Sequence, residues 1–329
     1  MDLSGKISRH EFNKLRHLHD LINKKKFKEG LEYSKSVLNK NANYKNLPIF
    51  YNLKGLLNFN LSDWKKSIHY FRKAIYLDEK YLEANYNLGL AYFNLGELKK
   101  SFSQLNIVLN LNENYLPARQ SLIELLTFYK PEKKYESNKI VYVNRELSKI
   151  NFNLNLNNKI LNEEILDFHS NCYSIVSKYL NNFSYNKNQI FRRNQLDLNC
   201  ERHKEIFFKY NSIAKFCFGC FKVVIQTENI FDLIKLSIIF DKVEAIKTYS
   251  RKCMIDKRLD KSSFKGFIYC SSKETVFEAE QVISPYLKKI IGDNILLESK
   301  RGCSEFAESY PEYKKISLSE KEMMKYSND

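Results

Sequence analysis

The 329-residue sequence predicts an α+β protein in two parts. An all-α helical repeat solenoid is expected over residues 10–130 and a smaller α+β domain over residues 216–329, joined by a helical connector at 131–215. Three observations carry this reading. The first half repeats itself every 34 residues. The hydrophobic period changes from helical to alternating near residue 221. All seven cysteines fall after residue 171, in the half that does not repeat.

A chain of 39.1 kDa is long for one domain and short for three. Hydrophobic residues make up 43%, enough for a sizeable core, while only 9 Gly and 5 Pro occur, too few for a collagen-like or glycine-loop fold. No apolar run reaches the length of a membrane span, and the start Met1-Asp2-Leu3-Ser4 lacks the apolar stretch of a secretory signal. With an odd number of cysteines, this suits a reducing cytoplasm better than a disulfide framework. The formal charge is +16, from 54 basic and 38 acidic side chains. Such a balance fits nucleic acid, an acidic partner or a membrane surface. The chain is also crowded with Asn, Ile, Phe and Tyr, all encoded by AT-rich codons, so codon bias is the first reading of its lysines.

The repeat is visible by eye. Tyr81-Leu82-Glu83-Ala84 recurs as Tyr115-Leu116-Pro117-Ala118, and Gly55, Phe59, Leu61 and Ser67 recur as Gly89, Phe93, Leu95 and Ser101. Phe71 and Ala74 recur as Leu105 and Val108. A weaker copy runs through Phe27, Gly30, Ser34 and Val37, offset by 37 residues. Helix pairs are predicted at 10–24 with 27–39, 47–60 with 64–77 and 81–94 with 98–110. A last helix is predicted at 115–129, closed by Pro131.

These residues resemble the tetratricopeptide repeat (TPR) family. Its pattern of Leu-Gly, Tyr, a small residue, an aromatic and Ala appears as Leu88-Gly89, Tyr92, Ser101, Leu105 and Val108. Glu79 and Glu113 stand where the family usually has Pro, and the first copy is degenerate. The resemblance covers roughly residues 12–130. It implies a protein-interaction module whose concave groove is lined by the first helix of each pair. Carried onto this sequence, the groove is Asn52, Phe59, Asn60, Tyr86, Phe93, Asn94, Gln120 and Glu124, with Leu56, Glu83 and Leu90 beside them. Leu56 and Leu90 read equally well as packing. Asn is a poor helix former, so Asn52, Asn60 and Asn94 read as groove residues that hold the backbone of a protein or peptide partner. The face has no Lys or Arg in the second and third repeats, so a grip on a C-terminal carboxylate is not expected.

Residues 131–160 are polar and Asn-rich and read as a linker or a loose connection. An amphipathic helix follows at 161–181, with Ile165, Phe168, Cys172, Ile175, Val176 and Tyr179 on one face, and a short helix at 201–210. Strands are then expected at 221–226, 251–257, 266–271 and 294–300, and helices at 229–240 and 273–291. The order is βαββαβ, the ferredoxin-like plan. Alternation places Phe221, Val223, Ile225, Cys253, Ile255, Ile268 and Cys270 under the helices. Lys222, Val224, Gln226, Lys252, Met254, Arg258, Phe267, Tyr269 and Lys300 face away.

Three constellations could carry chemistry. Cys200-x2-His203 and Cys217-x2-Cys220 have the spacing of a structural zinc site. Cys303 is a substitute ligand at the same sheet end, an iron–sulfur cluster is a weaker reading, and thiols that merely pack are the bland one. Lys265-Gly266-Phe267-Ile268-Tyr269 resembles the RNP1 strand of RNA-recognition motifs, which implies bases stacked on Phe267 and Tyr269. Ile268 and Ser272 depart from that pattern, and a ring pair packed under the preceding helices is the competing reading. Arg192-Arg193 is a phosphate or carboxylate contact, or a salt-bridged pair. The chain has no GxSxG, HExxH, GxxxxGK[ST] or GxGxxG. The expected function is therefore a cytoplasmic TPR interaction or adaptor protein with a zinc-stabilised C-terminal domain. The alternative is an RNA-binding or enzymatic domain targeted by its repeats.

Overall fold

A computed structural model describes residues 8–150, 156, 158–180, 188–192, 194, 200–256, 263–303 and 305–314, without the side chains of 201, 202 and 205. Arg193, Arg258 and most of the Asn-rich run 151–158 lie outside the described residues. The chain divides into two compact units, one of residues 1–149 and 178–181, the other of residues 150–177 and 182–329. The expected connector 131–215 is thus shared between them.

The first unit is a run of helix hairpins: α1 (Arg9–Asn23) with α2 (Phe27–Lys40), α3 (Pro48–Asn60) with α4 (Trp64–Leu77), and α5 (Leu82–Asn94) with α6 (Leu98–Leu111). Then come α7 (Leu116–Leu126) and α8 (Lys139–Leu147). Local chemistry sets the ends. Ser8 and Glu11 form a capping box on α1, Pro48 opens α3, and the Asp63 carboxylate accepts from Lys66 N at the start of α4. Each hairpin turns through one left-handed residue: Lys25 at φ 56°, Ser62 at φ 60° and Gly96 at φ 81°. Their spacings of 37 and 34 residues match the offsets of the repeat. In each turn a backbone N–H three residues past the helix end reaches back to the last turn, as Asp63 N to Asn58 O and Glu97 N to Tyr92 O do, both at 2.9 Å.

The repeated small residues are where helices approach. Ser34, Ser67 and Ser101 are fully buried, and so are Phe71, Leu105, Ala74 and Val108 within 1%. Helix α8 corrects the expected linker. Asn138 caps it by accepting from Ile140 N, and Ile140, Val141 and Val143 are buried. The apolar side chains outweigh the surrounding Asn and Lys.

The second unit holds a five-stranded antiparallel sheet of β1 (Gln189–Arg192), β2 (Phe221–Thr227), β3 (Ser250–Asp256), β4 (Ser263–Cys270) and β5 (Leu296–Arg301), in the order β1-β3-β4-β2-β5. Val223 pairs with Ile268 on one side and Ser299 on the other, and Cys253 pairs with Gly266. The four expected strands are present with β2 and β4 at the centre. The short edge strand β1, registered by Ile190 opposite Cys253, was not foreseen. Helices α12 (Ile230–Lys242) and α14 (Lys273–Ile290) pack on one face. There Phe221, Val223, Ile225, Cys253, Ile268 and Cys270 meet Leu236, Ile239, Ala279, Ile283 and Leu287 in one core. Burying alternate residues of each strand fixes the register, since a one-residue slip would turn the charged set inward. The remaining helices are α9 (Asn162–Tyr179), α10 (Cys200–Tyr210) and the single turns α11 (Lys215–Phe218), α13 (Glu244–Lys247) and α15 (Phe306–Ser309).

Candidate functional site

In the repeat unit the expected groove residues fall into two sets. Asn60 and Asn94 are exposed at the ends of α3 and α5, and each donates its amide to the carbonyl four residues back, Leu56 O at 2.8 Å and Leu90 O at 2.9 Å. Phe59, Tyr86, Phe93, Gln120 and Glu124 are half-buried. Phe59 meets Trp64 edge-on at 5.0 Å, and Phe93 lies 6.1 Å from Phe128. A shallow hollow is lined by Leu90, Phe93, Ser101, Leu105, Ser121 and Glu124.

Asn52 departs from the expectation of a solvent-facing groove residue. It is 5% exposed. Its carbonyl accepts from Asn87 Nδ2 at 3.0 Å, and its amide donates to the Tyr81 hydroxyl at 3.4 Å. Asn87 was not singled out from the sequence, although it stands one repeat plus one residue from Asn52. The hydroxyls of Tyr86 and Ser121, with the same 35-residue separation, lie 3.2 Å apart. These polar pairs tie successive first helices together. Buried amides are placed where both ends are satisfied, so they fix how one repeat sits on the next. Burial, and after it the nearby Glu83 carboxylate, push the Tyr81 phenol up to about 12, against the hydrogen bond from Asn52, which pulls it down.

In the second unit the outward sheet face is covered. Phe267 and Tyr269 are 7% and 9% exposed and stack at 6.3 Å, packed with Val224 and Met254. The ammonium groups of Lys222 and Lys252 lie 5.4 and 4.8 Å from the Phe267 ring centre. The ring faces are therefore taken by cations and apolar neighbours, which overturns the expectation that they stack bases. Both lysines are pushed down by burial first and by neighbouring lysines second, Lys252 to about 8.

The cysteines are free, Cys253 and Cys270 lie in the helix-side core, and four others lie near the start of β2 and the end of β5. Cys200 starts α10, Cys217 and Cys220 flank Gly219 at the knuckle before β2, and Cys303 follows β5. The Cys200 thiol donates to Cys303, which raises its pKa together with burial. That bond pulls Cys303 down while its own bond to Cys217 and burial push it up, to about 11. Cys220 is raised to about 12 by burial and then by the nearness of Cys303 and Cys200. The fourth expected member, His203, packs its ring at 5.4 Å from Phe216. Among the described residues, no three His, Cys, Asp or Glu side chains already close around one point as metal ligands do.

Arg192 is salt-bridged rather than free. Its Nη2 lies 3.1 Å from Asp241 Oδ2, and Arg251 Nη2 lies 3.4 Å from Asp241 Oδ1. Its expected partner Arg193 lies outside the described residues. Among those residues no helix is long and apolar enough to cross a membrane.

The family profile described as tetratricopeptide repeat matches residues 49–81 and 82–115. None of the curated proteins is similar to this chain in sequence. Solved structures similar to it include the first TPR of Spaghetti (RPAP3) bound to an HSP90 peptide, 17% identical, covering 35% of this chain and 90% of that one, with a TM-score of 0.33. The first TPR domain of human RPAP3 is 18% identical and covers 35% and 87%, with a TM-score of 0.32. MamA is 17% identical and covers 50% and 77%, with a TM-score of 0.33. The period of 34, the buried small residues and the hairpin register agree with the profile match, and the N-terminal region of this chain belongs to the tetratricopeptide repeat family.

Proposed function

We propose that this protein is an interaction or adaptor protein whose repeat face holds an extended segment of a protein partner. The observation that supports this most is the recurrence, in register, of an aromatic and an exposed Asn at the ends of successive first helices: Phe59-Asn60 and Phe93-Asn94. An amide presents both a donor and an acceptor, the pair that an extended peptide backbone offers. The neighbouring rings supply apolar contact, and Glu124 with Gln120 closes the face with acceptors. Asn52 is outside this contact set and acts between repeats.

The working compartment proposed is the cytoplasm, because seven unpaired thiols suit a reducing environment. The C-terminal domain is read as a ferredoxin-like sheet with β1 added to its edge. Its strand order and its paired helices on one face support that reading.

The test uses the full chain and an array of short synthetic peptides of varied charge and hydropathy. Asn60→Ala with Asn94→Ala should leave the melting temperature within error, since both side chains are exposed. Binding of the peptides that wild type retains should fall about tenfold, the loss of two hydrogen bonds worth roughly 0.5–1.5 kcal/mol each. Unchanged binding by the double variant, or no binding by wild type, would remove the groove.

A further inference from the structure

We infer that Cys200, Cys217, Cys220 and Cys303 form a tetrathiolate site for one zinc ion that ties three distant chain segments together at the end of the sheet. Sequence spacing alone offered His203 as the fourth ligand. The fold instead brings in Cys303, from beyond the last strand.

The first argument is placement. Four unpaired thiols from the start of α10, the 217–220 knuckle and the segment after β5 converge without forming a disulfide. Cys217 and Cys303 share one apolar cluster, and Lys204, one turn after Cys200, pairs with Glu305 just past Cys303. Cys220 is held beside them by backbone: Gly302 N donates to Cys220 O at 2.8 Å. A Cβ at residue 302 would stand 2.5 Å from Cys220 Sγ, so only glycine lets the two segments approach this closely. The knuckle is fixed from outside. Tyr313 donates its hydroxyl to Cys217 O at 2.9 Å, and Arg301 donates to Phe218 O. Phe207, Ile213, Phe218 and Phe306 pack with Cys217 and Cys303 in one apolar cluster.

The second argument is charge, and it is independent of the first. Lys222 is 8% exposed, and its ammonium donates to Gly302 O, next to Cys303. Lys252 lies over Phe191 and Phe267. Neither forms an ion pair with a carboxylate among the described residues. The nearby Lys204 and Glu305 cancel one another at 2.6 Å. A buried Lys222 and a half-buried Lys252 beside four neutral thiols are a costly arrangement. Four thiolates around a divalent cation carry a net charge of −2, which balances Lys222 and Lys252. A soft tetrahedral sulfur set selects zinc among the common divalent ions. Binding converts four thiols to thiolates, with four protons leaving to solvent and no change of oxidation state. The backbone already brings the knuckle and the segment after β5 together, so closing the site takes side-chain rotation.

The test is made on the full chain, purified without a histidine tag and kept reduced. Mass spectrometry should find one zinc per chain. Cobalt(II) in its place should give the thiolate charge-transfer absorption of a four-sulfur tetrahedral site. Cys303→Ser should abolish that spectrum and His203→Ala should keep it. Lys222→Met, which leaves all four ligands, should weaken zinc affinity about 10–100-fold. A mercurial reagent should release one zinc as four thiols react, a readout that needs no variant to fold. The inference is overturned if reduced wild type binds neither zinc nor cobalt. It is equally overturned if His203→Ala loses the metal while Cys303→Ser keeps it, or if the thiols are recovered as disulfides without metal.

Discussion

At residue 55 a single hydrogen atom decides how closely two helices pack. Gly55 of α3 faces the ring of Phe71 in α4, and a Cβ built there would fall inside the ring's van der Waals envelope. Phe71 is fully buried, so the ring has nowhere to move. Ala is a better helix former than Gly by about 1 kcal/mol. Overpacking a filled core costs about 1–3 kcal/mol. Gly55→Ala should therefore lower the denaturant midpoint of the repeat unit, with the slope of the transition unchanged. A raised midpoint would mean that propensity outweighs the clash. The position was readable from sequence because Gly55 and Gly89 recur at the repeat period. Asn52 was not, because a buried amide differs from an exposed one only in what faces it. Asn87 and Tyr81 become its partners only after the hairpins stack.

At the scale of elements, periodicity located helices and strands to within a few residues and failed where elements are short. The four residues of β1 carry no alternation long enough to distinguish from a loop. What holds β1 to the edge is partly ionic. Arg192 from β1 and Arg251 from β3 both meet Asp241 at the end of α12. Arg251 is 6% exposed and also donates to Ile246 O at 3.1 Å. Asp241→Asn would leave that guanidinium buried with only carbonyl acceptors. We expect the exchange of the 189–192 amides to accelerate, with a loss of about 1 kcal/mol, because Asp241 is 39% exposed and screened by solvent. Added salt should produce a similar acceleration in wild type and a smaller one in the variant. Equal exchange in both proteins would assign the edge to its backbone pairing alone. The cysteine cluster shows the same boundary of sequence reading. The spacing of Cys217 and Cys220 announces a knuckle, but whether His203 or Cys303 completes it depends on where α10 and the end of β5 come to rest.

For the whole molecule, the consequence is that its cores share no residues. Phe71, Leu88, Ala91 and Tyr92 form a repeat-unit cluster, and Val223, Ile225, Ile268 and Ile283 belong to the sheet core. In a repeat stack each hairpin is stabilised by its neighbours, so damage to one interface spreads along the stack. Phe71→Ala removes a fully buried ring at the centre of that stack. It should cost the repeat unit about 3–5 kcal/mol. Hydrogen exchange should then speed up throughout α3 to α6, including amides far from residue 71. The amides of β2 and β4 should keep their wild-type rates, because no contact that buries Val223 or Ile268 is lost. Ile268→Ala should do the reverse, loosening the sheet at a cost of roughly 2–5 kcal/mol while the repeats keep their protection. If Phe71→Ala also accelerated exchange in β2, the two units would unfold as one cooperative body and separate cores would not mean separate stabilities.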